Sequence, residues 1–158
     1  MKKIIGLIIV TGLLLVAGCT QPSVETPSPP PDELYDEVWI SPGKVMVGNF
    51  YSGARAEYPV TIHNGKDQPV EFSVTYRVAD NTAEGFVRAP DVAEDWVIIA
   101  DPTPVLAAKE TREVLIAVEM PKGANAPPKW EFWVAVRDAT QTGMVQTELA
   151  CRWLVTMR

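Results

Sequence analysis

Residues 58–78 read YPVTIHNGKDQPVEFSVTYRV, two runs of alternating character separated by a turn, and this stretch decides the fold. In the first run Tyr58, Val60 and Ile62 share one side, while Glu57, Thr61 and His63 share the other. In the second, Val70, Phe72, Val74, Tyr76 and Val78 alternate with Glu71, Ser73, Thr75 and Arg77. Successive side chains of a strand point to opposite faces, so each run reads as a half-buried strand. Asn64-Gly65-Lys66-Asp67 supplies turn chemistry between them, which predicts a hairpin.

The same period continues outward in both directions. Upstream, Val38 and Ile40 begin a strand that a Ser41-Pro42-Gly43 break interrupts before Lys44 to Val47 resume it. Downstream, Ala79 to Asp95 reads as a long loop with room for a short edge strand, and Trp96 to Ala100 as a compact strand stopped by Asp101-Pro102. Val114, Ile116, Val118 and Met120 alternate with Glu113, Leu115, Ala117 and Glu119, and Trp130, Phe132, Val134 and Val136 with Glu131, Trp133, Ala135 and Arg137. The last strand carries Val145, Thr147, Leu149, Cys151, Trp153, Val155 and Met157 on one face. Helical periodicity is missing after Cys19. About seven strands with Gly and Pro turns predict an all-β, antiparallel β-sandwich occupying residues 38–158. The stretch from Tyr58 to Phe72, then Glu110 to Val118, Pro121 and Trp130 to Val134, resembles bacterial immunoglobulin-like domains. That resemblance implies an adhesion, scaffold or spacer module, without the inter-sheet disulfide of antibody domains.

Export is written into the first 18 residues. Met1-Lys2-Lys3 gives a positive start and Ile4 to Val16 an uncharged run, together a signal peptide of residues 1–18 with its signal helix. The run is too short for the roughly 20 residues that a membrane-spanning helix needs. Val16-Ala17-Gly18-Cys19 resembles the lipobox of bacterial lipoproteins. The resemblance implies cleavage between Gly18 and Cys19, a diacylglycerol on the Cys19 sulfur and an acyl chain such as palmitate on the new amino terminus. The membrane partner is then reached through this covalent lipid, and no other cofactor is expected. Thr20, where an Asp would favour inner-membrane retention, leaves the outer membrane open as a destination in a two-membrane bacterium. Residues 19–37, with Pro22, Pro27, Pro29, Pro30 and Pro31, read as a disordered, proline-rich stalk that holds the domain off the bilayer.

Charge narrows the partners. The chain has 14 Lys plus Arg against 20 Asp plus Glu, and removing Lys2 and Lys3 with the signal leaves 12 against 20, or −8. Phosphate backbones demand clustered cations, so nucleic acid is not an expected partner. With Cys19 lipidated, Cys151 has no disulfide partner, and its place in the apolar register predicts an inert, buried thiol.

Chemistry-bearing clusters are scarce. His63 is the only histidine and falls on the predicted solvent face, there is no CxxC, HExxH or GxSxG, and no metal site is expected. Asp80, Asp91, Glu94, Asp95 and Asp101 could serve calcium or a glycosidase pair, but read as solvated loop carboxylates because no calcium-loop spacing or cleft accompanies them. Trp133 is the departure from alternation: it lies in the outward register between Glu131 and Ala135. Pairing with the last strand would bring Arg152 and Leu154 beside it, so Trp133, Arg152 and Leu154 form the candidate binding surface. Cover by the protein's own chain, a docked protein or a stacked glycan would each account for the indole. The sequence therefore points to a non-enzymatic, lipid-anchored extracytoplasmic module for protein–protein contact or envelope structure. A carbohydrate-binding module using Trp133 is the alternative.

Overall fold

The computed structural model describes residues 35–142 and 147–158, and the signal peptide, Gly18, Cys19, Val145 and most of the stalk lie outside them. Ten strands occur among the described residues: β1 (Trp39–Ser41), β2 (Lys44–Phe50), β3 (Arg55–His63), β4 (Val70–Val78), β5 (Val87–Arg88), β6 (Val97–Ile99), β7 (Val105–Leu106), β8 (Thr111–Glu119), β9 (Lys129–Asp138) and β10 (Glu148–Met157). They form two sheets, ordered β1-β3-β8-β6 and β2-β10-β9-β4-β7, with β5 attached to β9. The fold is an all-β, immunoglobulin-like sandwich, as the alternation predicts. The surplus over seven strands comes from the split first strand and from the two-residue strands β5 and β7.

Alternation tells which side chains face the core, and both sheets use it. Val60, Ile62, Val114, Ile116 and Val118 face inward from one sheet; Val45, Val47, Phe72, Val74, Phe132, Val134, Cys151, Trp153 and Val155 face them from the other. The centre is aromatic. Phe132 stacks on Tyr76, Trp130 and Trp153 at centroid separations of 5.6, 5.8 and 5.5 Å. Trp96 meets Trp130 edge-on at 6.1 Å. Aromatic pairs in these arrangements each contribute about 0.5–1.5 kcal/mol beyond their buried area. Trp96 closes a 3-10 helix, Asp91–Trp96, instead of opening a strand; its ring is needed in the core at the point where the long 79–95 connection turns back.

The expected hairpin is the main correction. β3 pairs with β1 and β8, whereas β4 pairs with β9 and β7, so the Asn64–Asp67 turn carries the chain between sheets. Asn64 makes that crossing specific. Its fully buried amide donates to the carbonyls of Gln68 at 2.9 Å, Leu106 at 3.3 Å and Ala107 at 2.7 Å, and its Oδ1 accepts the Lys66 N–H at 3.1 Å. Turn residues signal a reversal of the chain; whether the next strand pairs beside the last or across the core depends on contacts 40 residues away.

Two further corrections concern the first strand and His63. After the cis Ser41-Pro42 bond the chain leaves β1 and the smaller sheet for β2 in the larger one, where β2 runs parallel to β10. The sandwich thus has two parallel pairings, β2 with β10 and β5 with β9. His63, expected on the solvent face, is 2% exposed. The residues that cover it come from β1 and from the end of the expected stalk. Trp39 stacks on the imidazole at 5.1 Å, Tyr35 lies 5.6 Å away, and Nε2 donates to the Tyr35 carbonyl at 2.8 Å while Nδ1 meets the Thr111 hydroxyl. Lys109 Nζ donates to Asp36 Oδ1 at 2.6 Å and to the Gly65 carbonyl at 2.5 Å, and a Cβ on Gly65 would fall inside the Glu37 backbone. Tyr35, Asp36 and Glu37 are therefore fastened to the sandwich, although they were expected to belong to the disordered stalk.

Candidate interaction face

The larger sheet turns one face to the core and the other to solvent, and strand register lines up the solvent face in rows. Arg77 is opposite Trp133, Trp133 opposite Arg152, and Arg152 opposite Lys44. One row across four strands thus reads cation, indole, cation, cation. Adjacent strands are about 4.8 Å apart, so the row is roughly 14 Å wide. The alternation that buries Val45, Val74, Val134 and Cys151 turns these four residues outward. Ala135, only 1% exposed, and the half-exposed Met46 are their apolar neighbours on that face.

In the adjacent row along β9 lies a charge that periodicity places outside and the structure buries. Glu131 is fully buried. Its Oε1 accepts the Arg152 Nε at 2.6 Å and the Trp133 indole N–H at 2.7 Å, and its Oε2 accepts the Ala83 backbone N–H at 2.7 Å. The loop after β4 thereby folds down over the end of β9, and β5 takes up the register beyond it, with Arg88 opposite Glu131. Burial pushes the Glu131 carboxyl up, but the Arg152 guanidinium and the two N–H donors outweigh it and hold the group below its ordinary range. Glu131 in turn raises the Arg152 guanidinium.

This network explains why an indole sits in the outward register. Trp133 is half-buried, its N–H is committed to Glu131, and the Arg152 guanidinium lies 5.9 Å from its ring centroid. The expected neighbour Arg152 is therefore beside it. Leu154 does not serve the surface: it is opposite Glu131 and only 6% exposed. Sequence reasoning missed Lys44, Arg77 and Glu131. A charge inside the otherwise apolar Trp130-Glu131-Phe132-Trp133 run was a readable signal for Glu131. The other two depend on pairing register, which no single strand reveals.

Elsewhere the structure offers less chemistry. Asp91, Glu94 and Asp95 lie exposed on the 3-10 helix, and no group of three or more His, Cys, Asp or Glu residues among the described residues is placed to hold a metal. Cys151 is fully buried and free, and burial pushes its thiol up to about 12. A cleft of about 210 Å³ opens at the end of the sandwich where Lys66 Nζ donates to Asp138 Oδ2 at 2.5 Å. Asp138 also accepts the Thr140 N–H at 2.8 Å and the Thr140 hydroxyl at 2.6 Å; burial pushes its carboxyl up, but these partners bring it below its ordinary range.

No family model matches the chain, and no curated protein sequence matches it. Solved structures share its fold. The ASH / PapD-like domain of human CEP192 (PapD-like domain 7) superposes with a TM-score of 0.55 at 15% identity, over 90% of this chain and 95% of that one. The periplasmic chaperone SfaE gives 0.53 at 13% identity over 77% of this chain and 58% of the chaperone. A family 123 glycoside hydrolase from Clostridium perfringens gives 0.52 at 9% identity over 73% of this chain and 23% of the enzyme. These likenesses carry the fold alone: a PapD-like, immunoglobulin-like sandwich.

Proposed function

We propose that this protein is a non-enzymatic contact module, exported and anchored by lipid on Cys19, whose sandwich engages a protein partner at the cell envelope. The row Lys44–Arg152–Trp133–Arg77 carries the reading, because an open cationic and aromatic face on a chain of net charge −6 is a distinctive surface. Arginine and tryptophan are also the side chains that anchor protein interfaces. The periplasmic chaperone SfaE shares the fold, which suits a contact module. Palmitate or a similar acyl chain, with the diacylglycerol, would supply the two or more lipids that stable anchoring needs.

Against glycan stacking stands the state of the indole: Trp133 is half-buried, Arg152 lies 5.9 Å from its ring centroid and Glu131 holds its N–H. The test combines fractionation and cross-linking. Wild-type protein should sediment with membranes and begin at an acylated Cys19, and Cys19→Ala should be uncleaved and carry no acyl chain. Lysine-reactive cross-linking on intact membranes should yield a discrete protein adduct. An unmodified amino terminus would remove the anchor, and no protein adduct under any linker length would remove the contact role.

A further inference from the structure

We infer that a partner protein docks by adding a short extended strand, antiparallel, to the open edge of β4 at Tyr76–Val78, with a basic side chain at the Asp91 and Glu94 carboxylates and an apolar one on Val78. This rests on the reading of the protein as a contact module and names the attachment point and the chemistry of the segment held there.

The open edge follows from how β4 is paired. Along a strand, alternate residues turn their backbone N–H and C=O toward one neighbour or the other. Phe72 and Val74 turn theirs away from β9, and their N–H groups donate to the carbonyls of Pro104 at 2.9 Å and Pro102 at 2.8 Å. Tyr76 and Val78 continue the same register. The chain that covers the edge leaves before it reaches them, since the Ala100 N–H already bonds the Leu115 carbonyl in the smaller sheet. Among the described residues no other segment takes over, so the N–H and C=O groups of Tyr76 and Val78 face a cleft instead of a strand. An antiparallel partner exchanges both bonds at such positions. Unpaired edges of this kind are what strand-adding segments use. The cleft measures about 320 Å³ and is lined by Tyr76, Arg77, Val78, Asp80 and Glu94.

Charge gives the incoming segment its sign. Asp80 and Glu94 line the cleft, and burial, then the nearby Glu94 and Asp91 carboxylates, push the Tyr76 phenol up. None of these three carboxylates has an ion-pair partner among the described residues, whereas Arg77 directs its guanidinium to Glu148. Three acids against one cation make the cleft attract Lys or Arg. Val78 supplies the apolar contact: it shares the inward register of Phe132 yet is 48% exposed. Side chains two positions apart on a strand share one face. A basic residue opposite Tyr76 therefore lies at Glu94 when the residue two positions before it covers Val78.

Position keeps the edge accessible. Lys109 holds Asp36 and the Gly65 carbonyl near the start of β4, whereas Val78 is about 27 Å farther along the strand than Val70. The cleft thus opens at the end of the sandwich remote from the tether.

The experiment uses the full chain, purified from membranes in a neutral detergent and observed by NMR. Without ligand, the amides of Tyr76 and Val78 should exchange with deuterium at least tenfold faster than those of Phe72 and Val74. Equal protection would mean a closed edge and would overturn the inference. The probe is the peptide Thr-Val-Thr-Lys-Gly, blocked at both ends and added to millimolar concentration. It should shift and protect the Tyr76 and Val78 amides, and its binding should weaken with salt. Methylating the backbone nitrogens of its Val and Lys should abolish binding, because those amides face β4; methylating the Thr nitrogen between them should leave binding intact. A peptide with Glu in place of Lys should bind at least fivefold more weakly. The double variant Asp91→Lys with Glu94→Lys, both on exposed positions, should unfold like wild type and reverse that preference. Binding that survives methylation of Val and Lys, an unchanged preference in the double variant, or no response of Tyr76 and Val78 to the peptide would each overturn the inference. If cross-linking on membranes captures a protein while those amides ignore the peptide, the contact module stands and only the β4 edge falls.

Discussion

Replacing Arg152 with Ala should destabilise the domain by about 3 kcal/mol at neutral pH. Breaking a buried ion pair by removing one partner typically costs about 3–5 kcal/mol, because the other charge remains buried and unpaired. Here the surviving partner is Glu131, whose side chain is 0% exposed, while the Arg152 side chain is 35% exposed; its partial solvation places the effect at the lower end. For a domain of this size the loss corresponds to a fall in Tm of roughly 10 °C. The pH dependence gives the sharper test. In the native protein Glu131 titrates below its ordinary range, so its contribution is present above the unfolded carboxylate value and is lost as pH falls through the folded one. Without Arg152, burial prevails and the folded value moves above the unfolded one. The variant's neutral carboxyl is then favoured in the fold, and stability declines as pH rises through that raised value. The gap between variant and wild type should therefore narrow between pH 7.5 and pH 5, as measured by urea unfolding followed by tryptophan fluorescence. Arg77→Ala is the control: its pair with Glu148 is long and exposed, so less than about 0.5 kcal/mol should be lost. A loss under about 1 kcal/mol for Arg152→Ala, or one that is constant across that pH range, would refute the reasoning.

Three other outcomes follow from the packing. Cys151, fully buried with its thiol pushed up to about 12, should not react with an aromatic disulfide reagent in the native protein and should react at once in urea; native labelling at a rate comparable to a free thiol would contradict this. Asn64→Ala strips the donor from the Gln68, Leu106 and Ala107 carbonyls and should cost roughly 2–4 kcal/mol in urea unfolding, since a buried group left without its partner costs about 1–3 kcal/mol. Gly65→Ala should push the Glu37 backbone away and expose Tyr35 to chymotrypsin, with cleavage several-fold faster than in wild type and the sandwich otherwise intact; an unchanged cleavage rate would mean that Tyr35–Glu37 is not held there.

Much of the fold was legible because a strand's inward residues repeat every second position, and that repeat runs through β4 as far as Tyr76 and through β8, β9 and β10, although Val78 is exposed and Ala117, Glu131, Ala135 and Leu154 are buried out of period. It could not distinguish a hairpin from a crossing between sheets at Asn64, since both leave Ile62 and Phe72 inside. His63 misled for a related reason. Its register is outward, but Tyr35 and Trp39 come back from earlier in the chain to cover it, and alternation carries no information about such cover. The candidate site shows both effects at once. Trp133 and its neighbour Arg152 were readable as an aromatic and a cation out of register with the core. Periodicity places Glu131 outside, whereas the Ala83 backbone N–H bonds its carboxylate and it is fully buried; Leu154 opposite it is buried as well, and Lys44 and Arg77 join the face only through cross-strand register.

The most direct test of the contact face is site-specific photo-cross-linking in the living source cells. A photoreactive residue would be placed at Thr75 or Ala150, in the row next to Arg77, Trp133 and Arg152, or at Glu113 on the outer face of the smaller sheet. The account predicts discrete protein adducts from Thr75 and Ala150 that disappear when Lys44→Glu and Arg77→Glu are introduced together, and none from Glu113. Adducts from Glu113 alone, or adducts from the row that survive the charge reversal, would contradict it.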